Sequence, residues 1–367
     1  MRLFSVQKNK STHKIKLVVN MSRIGNSGAG LSYYSKCFLE QLCKIFNEIT
    51  VVSSEVLVEN KNINWVRCPK FISISPSVSM LRPILYYLYS WYLLIKYYDS
   101  LILSTTHHAV PFHSYQMITI HDLRPYYYPD SITQWIYFHL ILPRSLKKIK
   151  KIITPSQFSK KIIKNTYGIN PDKISVVSNM IKAPSRKNGL KNSEQKPFLL
   201  MVGAREKHKN AHELIEMSDL WKNRYNLIII SQKNSYQNDL IELATRKGIL
   251  DKITFLNYIP DNTLEEYYQA CTALVYPSLM EGFGIPPLQA MLYGKPSIVS
   301  DNELSHEIYG DSSIFVQLGN KTSWQKAFED LENAHLILLK RELGWQKSME
   351  YNENRMYQEI KNTFNLS

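Results

Sequence analysis

The sequence predicts an α/β protein with two doubly wound domains. Three observations support this: short apolar segments alternate with helical ones, 367 residues suffice for two domains of ordinary size, and residues 182–196 form a polar stretch rich in Lys, Asn and Ser. We therefore expect an N-terminal domain over 1–182, a linker over 183–196 and a second α/β domain over 197–343.

The N-terminal half opens with a predicted strand at 14–20, a glycine-rich turn, and a helix that ends near Phe46. The turn contains Gly25, Gly28 and Gly30, and free amides at a helix N-terminus can cradle phosphate. The glycine spacing differs from the Gly-x-Gly-x-x-Gly fingerprint, so the pattern fits a ligand loop and a tight turn equally well. Further strands are predicted at 49–53, 65–68, 101–104, 117–120 and 173–179.

Two aromatic segments lie between these strands. Residues 80–98 are predicted to be helical with Tyr and Trp nearly all round, and residues 135–151 place aromatic side chains before four lysines. The first segment can be a helix packed between the sheet and its neighbours, and the second can end in a solvated basic face. Because Tyr and Trp favour the headgroup zone and Lys attracts anionic lipid, each can also lie on a membrane surface. The lysines are Lys147, Lys148, Lys150 and Lys151, followed by Lys160, Lys161 and Lys164.

The predicted strand at 117–120 ends in a histidine and an aspartate, His121 and Asp122. The carboxyl end of a parallel strand lies on the ligand side of the sheet, so we predict a functional histidine. Asp122 either orients the imidazole or caps the following turn. The next helix is predicted to start at Ser156 and to end at Gly168. A looser histidine cluster lacks metal-ligand spacing and is assigned to a loop: His107, His108 and His113.

The second α/β series opens with a predicted strand at 197–204, followed by Arg205, Lys209 and a helix. Two cations beside a helix N-terminus suit a diphosphate, whose negative charge they would stabilise as it leaves. Further strands are predicted at 226–231, 253–258, 273–276, 297–300 and 313–316, with closing helices near 321–340 and 344–362.

A turn rich in glycine and proline follows the strand at 273–276. In this turn Glu281 stands beside Gly282 and Gly284, which let the backbone approach a ligand closely, and Gln289 lies on the next helix. Because a phosphate site disfavours a neighbouring carboxylate, Glu281 is better explained by sugar hydroxyls. The alternative is a plain connection between strand and helix.

The net charge of +14 resides in the N-terminal half. Residues 1–182 carry 24 basic against 8 acidic side chains, whereas the remainder carries 21 against 23. The excess predicts an anionic partner for the first half: a membrane surface, a polyphosphate or nucleic acid. The four cysteines have neither zinc nor disulfide spacing, which indicates a reducing compartment. No apolar signal core precedes Lys16, and the longest apolar run, 84–95, is too short to span a bilayer.

Four segments are distinctive: Thr119-Ile-His-Asp-Leu-Arg-Pro, Ile153-Thr-Pro-Ser-Gln-Phe-Ser, Gly203-x-Arg205-x-x-x-Lys209-Asn210 and Pro277-Ser-x-x-Glu-Gly-Phe-Gly-Ile-Pro-x-Leu-x-Ala-Met. With the glycine-rich turn, and in this order, they resemble the family 4 (group 1) glycosyltransferases over nearly the whole chain. The resemblance implies the GT-B fold, in which two Rossmann-like domains face each other across a cleft. The last segment, 344–367 around Trp345, would cross back onto the N-terminal domain.

The resemblance also implies roles for individual residues. The C-terminal domain would bind a nucleotide-sugar, with Arg205 and Lys209 holding the diphosphate without a metal and Glu281 bonding hydroxyls of the donor sugar. His121 would reach that sugar from the N-terminal domain, which binds the acceptor. Seven further residues would line the substrates: Gly28, Gly30, Asp122, Gly282, Phe283, Gly284 and Ile285.

The family usually has a glutamate where this chain has Gln289. A glutamine carbonyl still accepts a hydrogen bond from the nucleotide ribose but loses the charge assistance, ~1 kcal/mol, so we expect weaker donor binding or an altered nucleotide preference. The family retains the anomeric configuration, and this chain has no carboxylate in an obvious nucleophile position. We therefore expect the diphosphate to depart from the front face and to deprotonate the incoming hydroxyl.

Together these features predict a retaining, metal-independent hexosyltransferase without a cofactor, peripheral on the cytoplasmic face of the plasma membrane. It would move a hexose or N-acetylhexosamine from a UDP- or GDP-sugar to a polyprenyl-diphosphate-linked saccharide in bacterial O-antigen synthesis. Two alternatives stay open. One is a GT-B enzyme that converts nucleotide-sugar without an acceptor, as an epimerase does. The other is a non-catalytic basic protein that binds nucleic acid, although no nucleic-acid motif accompanies the lysines.

Overall fold

Two parallel sheets, one in each half of the chain, organise the protein, whose computed structural model describes residues 15–25, 30–73, 82–182 and 196–366. Within these ranges the N-terminal sheet has seven strands in the order β3-β2-β1-β4-β5-β6-β7. They are β1 (Leu17–Asn20), β2 (Ile49–Ser53), β3 (Ile63–Arg67), β4 (Leu101–Ser104), β5 (Gln116–Thr119), β6 (Lys151–Thr154) and β7 (Ile174–Val176).

The C-terminal sheet has six strands in the order β10-β9-β8-β11-β12-β13 over the described residues. They are β8 (Phe198–Val202), β9 (Asn226–Ile230), β10 (Ile253–Leu256), β11 (Ala273–Tyr276), β12 (Ser297–Ser300) and β13 (Ile314–Val316). Helices cover both faces of each sheet, and the central strands are therefore buried along their whole length, which explains their continuous apolar sequences.

The strand order of each sheet reverses at one place, between β1 and β4 in the first sheet and between β8 and β11 in the second. In doubly wound sheets the crevice beyond the strand ends at such a reversal is where ligands bind. The predicted site segments follow these strands: the turn at Gly25 follows β1, Arg205 follows β8, and Glu281 follows β11. The predicted linker over 183–196 lies, apart from Lys196, outside the described residues.

Seven helices and a π-helical turn over Tyr137–Ile141 connect the described strands of the N-terminal half. The helix predicted between Ser156 and Gly168 is confirmed, because the Ser156 hydroxyl accepts from the amide of Ser159 and Gly168 ends the helix in the left-handed conformation (φ 62°). The helices are α1 (Gly30–Ile45), α2 (Lys70–Ser73), α3 (Arg82–Lys96), α4 (Arg124–Tyr127), α5 (Ile132–Ile136), α6 (Leu142–Lys148) and α7 (Gln157–Tyr167).

Eight α-helices lie in residues 196–366 of the C-terminal half. None of the helices in the described part of the chain is long and apolar enough to cross a membrane. The helices are α8 (Ala211–Glu216), α9 (Ser235–Arg246), α10 (Asp261–Ala270), α11 (Ile285–Leu292), α12 (Glu303–Tyr309), α13 (Lys321–Glu332), α14 (Ala334–Glu350) and α15 (Glu353–Thr363).

The predicted helix start at Gly344 is wrong, because α14 continues through this residue. A side chain at Gly344 would place its Cβ 2.9 Å from Cγ of Met291 on α11, so the glycine allows two helices to pack closely and does not end one. Trp345, where we expected the chain to return to the N-terminal domain, is half exposed on α14.

The chain returns to the N-terminal domain one turn later, after α14 ends at Glu350. Met356 and Ile360 of α15 are fully buried in the core beneath α1, and the ring of Phe364 meets that of Phe46 at 5.2 Å. A backbone hydrogen bond from Ile181 to the carbonyl of Tyr351 (2.6 Å) lies beside this passage. The last helix thus ties the C-terminal domain to the N-terminal core.

A carboxylate of the C-terminal domain caps a helix of the N-terminal domain. The Glu307 side chain on α12 accepts hydrogen bonds from the amides of Gln157 and Phe158, each at 2.7 Å, at the start of α7. The negative charge also meets the positive end of the helix dipole, which strengthens the contact. Nearby, Lys161 pairs with Glu303 at 2.8 Å, but both side chains are more than half exposed.

We expect Glu307→Ala to lower the free energy of unfolding in urea by about 1–2 kcal/mol, because it leaves two amides at the start of α7 without an acceptor. The matched variant Glu303→Ala removes an exposed ion pair and should cost less than about 0.5 kcal/mol. Equal losses in the two variants would contradict this account of the domain contact.

Candidate active site

An ion pair between Lys209 and Glu281 lies at the reversal of strand order in the C-terminal sheet. Lys209 ends a short 3-10 turn after β8, and its Nζ lies 2.5 Å from Oε1 of Glu281 and 3.0 Å from the hydroxyl of Tyr276. Asn210, in the left-handed conformation (φ 61°), then turns the chain into α8. Lys209 and Glu281 are each less than one fifth exposed, so their interaction is only weakly screened by water.

Three donors converge on a single oxygen of Glu281. Its Oε1 accepts from Lys209, from the Ser278 hydroxyl at 2.6 Å and from the Tyr276 hydroxyl at 2.9 Å, whereas Oε2 makes no hydrogen bond with any described residue. Burial alone would raise the pKa of Glu281, but the charge and the hydrogen bonds of Lys209 and Ser278 outweigh it and hold the pKa below its usual value. Glu281 is therefore an oriented carboxylate with one oxygen available to a sugar hydroxyl.

Arg205, the other predicted diphosphate ligand, differs from Lys209. Its backbone is fixed, since its amide donates to Gly203 at 2.7 Å and its carbonyl accepts from Asn234 at 2.6 Å. Its guanidinium is exposed and makes no hydrogen bond or ion pair with the described residues. Lys209 is thus paired with Glu281, whereas the guanidinium of Arg205 has no ion-pair partner among the described residues, although its charge contributes to the lowered pKa of Glu206.

His121 contributes a neutral imidazole from the N-terminal domain. Its Nε2–H donates to the carbonyl of Thr105 at 2.9 Å, and the ring meets Tyr34 edge-on at 4.8 Å. Burial lowers the pKa of His121, although the hydrogen bond to Thr105 opposes this shift. Nδ1 therefore carries the lone pair that can accept a hydrogen bond. Of the two roles considered for Asp122, the structure shows the cap, because Asp122 accepts from the amide of Arg124 at 2.9 Å.

The two glycines of the turn after β11 lie close to other protein groups. A Cβ on Gly282 would lie 1.9 Å from the backbone oxygen of His121, in the opposite domain. Gly284 has φ +84°, and a Cβ there would lie 2.1 Å from the Tyr309 hydroxyl. Close packing between protein groups therefore already requires a glycine at both positions, and the close approach of a ligand to this backbone stays a prediction.

The start of α11 offers few amide donors. Ile285 is its first residue, and Pro286 and Pro287 follow without N–H groups, so donors at this end are limited to the amides of Phe283, Gly284 and Ile285. The Phe283 ring is buried and meets Tyr351 edge-on at 5.0 Å.

Three predicted positions remain: Gln289, Gly30 and Gly28. Gln289 already accepts a hydrogen bond at its Oε1 from the hydroxyl of Tyr268, at 2.9 Å. Gly30 is exposed at the start of α1 with open space beside it, as room for a ligand requires. Gly28 lies outside the described residues.

Sequence reasoning missed an ion pair between the domains. Arg124 contacts Glu206 at 2.9 Å and also binds both oxygens of Asp130. His208, whose Nδ1 lies 3.3 Å from Oε2 of Glu206, and then the charge of Arg124 lower the pKa of Glu206 to about 2 despite its partial burial. Both partners belong to segments that carried the family resemblance, but no local pattern indicates that they face each other.

A stacked histidine pair lies near His121. The rings of His107 and His108 are 4.2 Å apart, and the Tyr137 hydroxyl donates to the carbonyl of His107 at 2.8 Å. His113 is separate and donates to Ser100 at 3.0 Å. Among the described residues no three His, Cys, Asp or Glu side chains gather into a possible metal site. The assignment of these histidines to one loop cluster is correct only for the first two.

The histidine pair should make stability depend on pH. Burial, followed by the charges of Arg23 and His121, lowers the pKa of His107 to about 3, and burial holds the pKa of His108 well below its ordinary value of 6.5. The folded protein thus binds fewer protons than the unfolded chain below pH 6.5, so stability is complete above that pH and is lost as pH falls toward 3. Each of the two histidines lowers the free energy of unfolding by at most about 1.4 kcal/mol per pH unit.

Urea unfolding from about pH 7.5 to about pH 5.5 tests this dependence. The double variant His107→Asn with His108→Asn should lose less stability over this range than the wild type. His335→Asn removes an exposed histidine and should leave the slope unchanged. A double variant with the wild-type slope would show that the buried pair does not titrate as described.

Comparison with known proteins places the chain in a family. Residues 31–183 match the model for Glycosyltransferase Family 4, and residues 183–343 match the model for Glycosyl transferases group 1. The chain is 37% identical over 323 residues to the O-antigen chain mannosyltransferase RfbU of Salmonella typhimurium, covering 86% of this chain and 91% of that protein. It is 31% identical over 219 residues to O-antigen chain mannosyltransferase B of Escherichia coli, covering 53% of this chain and 55% of that protein.

A solved structure with the same architecture is the sucrose-phosphate synthase of Thermosynechococcus elongatus. It superposes with a TM-score of 0.77 over 96% of this chain and 98% of that chain, at 14% identity. The likeness concerns the fold and confirms the GT-B arrangement predicted from the sequence. With this fold, both family matches and 37% identity across most of its length, the chain belongs to the family 4, group 1 glycosyltransferases.

Proposed function

We propose that the protein transfers a mannosyl residue from a nucleotide-linked donor to a lipid-linked saccharide during synthesis of a bacterial O-antigen. The main support is the 37% identity, over most of both chains, to a protein named as an O-antigen chain mannosyltransferase; a second relative has a similar name. Of the hexoses and N-acetylhexosamines that the sequence analysis allows, the names of these relatives favour mannose. The polar groups around Glu281 are compatible with this donor.

The donor would occupy the C-terminal side of the cleft. The free Oε2 of Glu281 accepts a hydroxyl of the sugar, while Lys209 holds the opposite oxygen and keeps the carboxylate ionised. Arg205 and Lys209 bind the diphosphate, joined by the amides of residues 283–285. His121 accepts a second sugar hydroxyl at Nδ1, because its Nε2 is already committed to Thr105.

In the proposed reaction the bond between the anomeric carbon and the diphosphate oxygen breaks, and its electrons leave with the diphosphate. The acceptor hydroxyl forms the new bond from the same face and passes its proton to the departing phosphate oxygen, so the configuration is retained. Arg205 and Lys209 stabilise the charge that develops on the leaving group. These two cations supply that stabilisation in the proposal, and no metal ion takes part.

The acceptor would bind the N-terminal domain, whose excess of basic side chains suits a polyprenyl-diphosphate saccharide and anionic lipid at the cytoplasmic face of the inner membrane. The assay is incubation with a panel of labelled UDP- and GDP-sugars, GDP-mannose included, and a synthetic polyprenyl-diphosphate saccharide. Transfer of mannose supports the proposal. Failure with the whole panel contradicts it, and conversion of a donor without acceptor would indicate an epimerase.

Replacement of one cation tests the diphosphate role. Arg205→Ala should reduce kcat/KM for transfer by about 10²–10³, because it removes the cation of the two that makes no ion pair with a described residue. The control is Lys207→Ala, which removes an exposed positive charge from the same turn and should change transfer by less than about threefold. Near-normal turnover in Arg205→Ala would exclude the role of this residue.

A further inference from the structure

Helix α3 is apolar on two opposite faces. One face packs on the N-terminal sheet through residues such as Leu93, which is fully buried. The other exposes a single stripe at spacings of four, three and four residues, which places its members on one side of the helix. The stripe consists of Ile84, Leu88, Trp91 and Ile95, of which Leu88 is 61% and Ile95 73% exposed.

A second exposed stripe follows β5. It runs along α5 and the π-helical turn after it, a kind of turn that often marks functional sites. Its side chains are large and apolar and have no covering element in the described part of the chain. They are Ile132, Trp135, Ile136, Leu140 and Ile141, of which Ile132 is 79% exposed.

Both stripes lie on the same side of the N-terminal sheet. Ile102 of β4 packs beneath α3 and Ile118 of β5 packs beneath α6, and the strand register puts these two side chains on one sheet face. The loop between β4 and β5 adds Phe112, whose ring meets Trp91 at 5.4 Å. Phe112 is 71% exposed and left-handed (φ 61°), an unfavourable conformation for a bulky residue that keeps its ring outward.

This apolar face ends in positive charge. Helix α6 ends with the exposed Lys147 and Lys148, and the exposed Lys150 follows it, 4.8 Å from the ring centre of Tyr115. Lys96 ends α3 and donates to Tyr92 at 2.8 Å. Acidic residues are scarce: residues 60–171 contain three, Asp99, Asp122 and Asp130, which bond Lys16, the amide of Arg124 and the Arg124 guanidinium.

We propose that the apolar face, made of the two stripes and Phe112, docks as one unit on a bilayer that contains anionic lipid. Aliphatic and aromatic side chains would enter the headgroup region, and the lysines at its end would pair with anionic headgroups. A second copy of the chain fits less well, because a symmetric contact would pair this face with itself, where acidic side chains that could bind the lysines are scarce. The inference rests on the proposed function and deepens it, since it identifies the surface that brings the cleft to a lipid-linked acceptor.

Sedimentation of the full chain with lipid vesicles tests the docking face. Vesicles of phosphatidylcholine alone are compared with an equal mixture of phosphatidylcholine and phosphatidylglycerol, at low and high salt. We expect Leu88→Ser with Ile95→Ser to weaken partitioning by at least about tenfold. The control pair Leu338→Ser with Leu339→Ser removes leucines exposed on α14 of the other domain and should bind as the wild type does. Lys147→Gln, Lys148→Gln and Lys150→Gln together should abolish the preference for anionic vesicles.

The docking proposal is overturned if the wild type binds neither kind of vesicle, or if the stripe variant and the control variant lose vesicle binding equally. It is also overturned if the stripe variant converts a dimer into a monomer while vesicle binding persists. Transfer to a short-chain, water-soluble acceptor without vesicles separates this proposal from the proposed function. That transfer should be equal in all variants, and its absence in the wild type would count against the glycosyl transfer itself.

Discussion

The close contact between Gly282 and His121 is the constraint on which the site depends. No side chain fits at Gly282, because its Cβ would lie 1.9 Å from the His121 backbone oxygen. The Gly282 carbonyl in turn accepts from the Ser156 hydroxyl, at 2.7 Å, at the start of α7. The turn after β11 of one sheet is thereby held against the ends of β5 and β6 of the other sheet. Glu281, one residue before Gly282, is brought to the loop that carries His121.

The polar side chains near this contact differ in charge and in hydrogen bonding. Lys209 is occupied with Glu281, so it orients the carboxylate and keeps it ionised in a buried position. His121 is neutral because burial lowers its pKa, and it adds a hydrogen-bond acceptor without adding charge. Arg205 is the exposed cation of the group. The proposed diphosphate thus meets a site whose charge is already arranged, and such preorganisation contributes much of the catalysis in reactions of this kind.

The fold could be predicted because its signals are local. Strands buried on both faces have continuous apolar sequences, as at Ala273–Tyr276, and the caps of α7 are visible as Ser156 and Gly168. Glycines were harder to interpret. The sequence does not indicate that Met291 occupies the space beside Gly344. It likewise does not indicate that the backbone of His121 lies against Gly282. A glycine can indicate that the backbone passes close to another group, but it does not identify that group.

The sequence indicated which candidate site residues lie at strand ends. It did not indicate which side chains contact one another. Arg205, Lys209 and Glu281 could be proposed because each follows a predicted strand and lies in a segment that carries the family resemblance. The partners within the site come from elements distant in sequence, so the commitment of Lys209 to Glu281 and the contact of Arg124 with Glu206 could not be inferred. Gln289 similarly has a partner, Tyr268, that its spacing from Glu281 does not indicate.

If the contact of the two domains at Gly282 assembles the site, a methyl group added there should impair glycosyl transfer, and kcat/KM of Gly282→Ala measures this effect. We expect a loss of roughly 100-fold, since the added methyl group must separate the backbones at residues 282 and 121. Leu279→Ala, which shortens an exposed side chain of the same turn, serves as the control. Transfer by Gly282→Ala at the wild-type rate would show that the site does not depend on this contact.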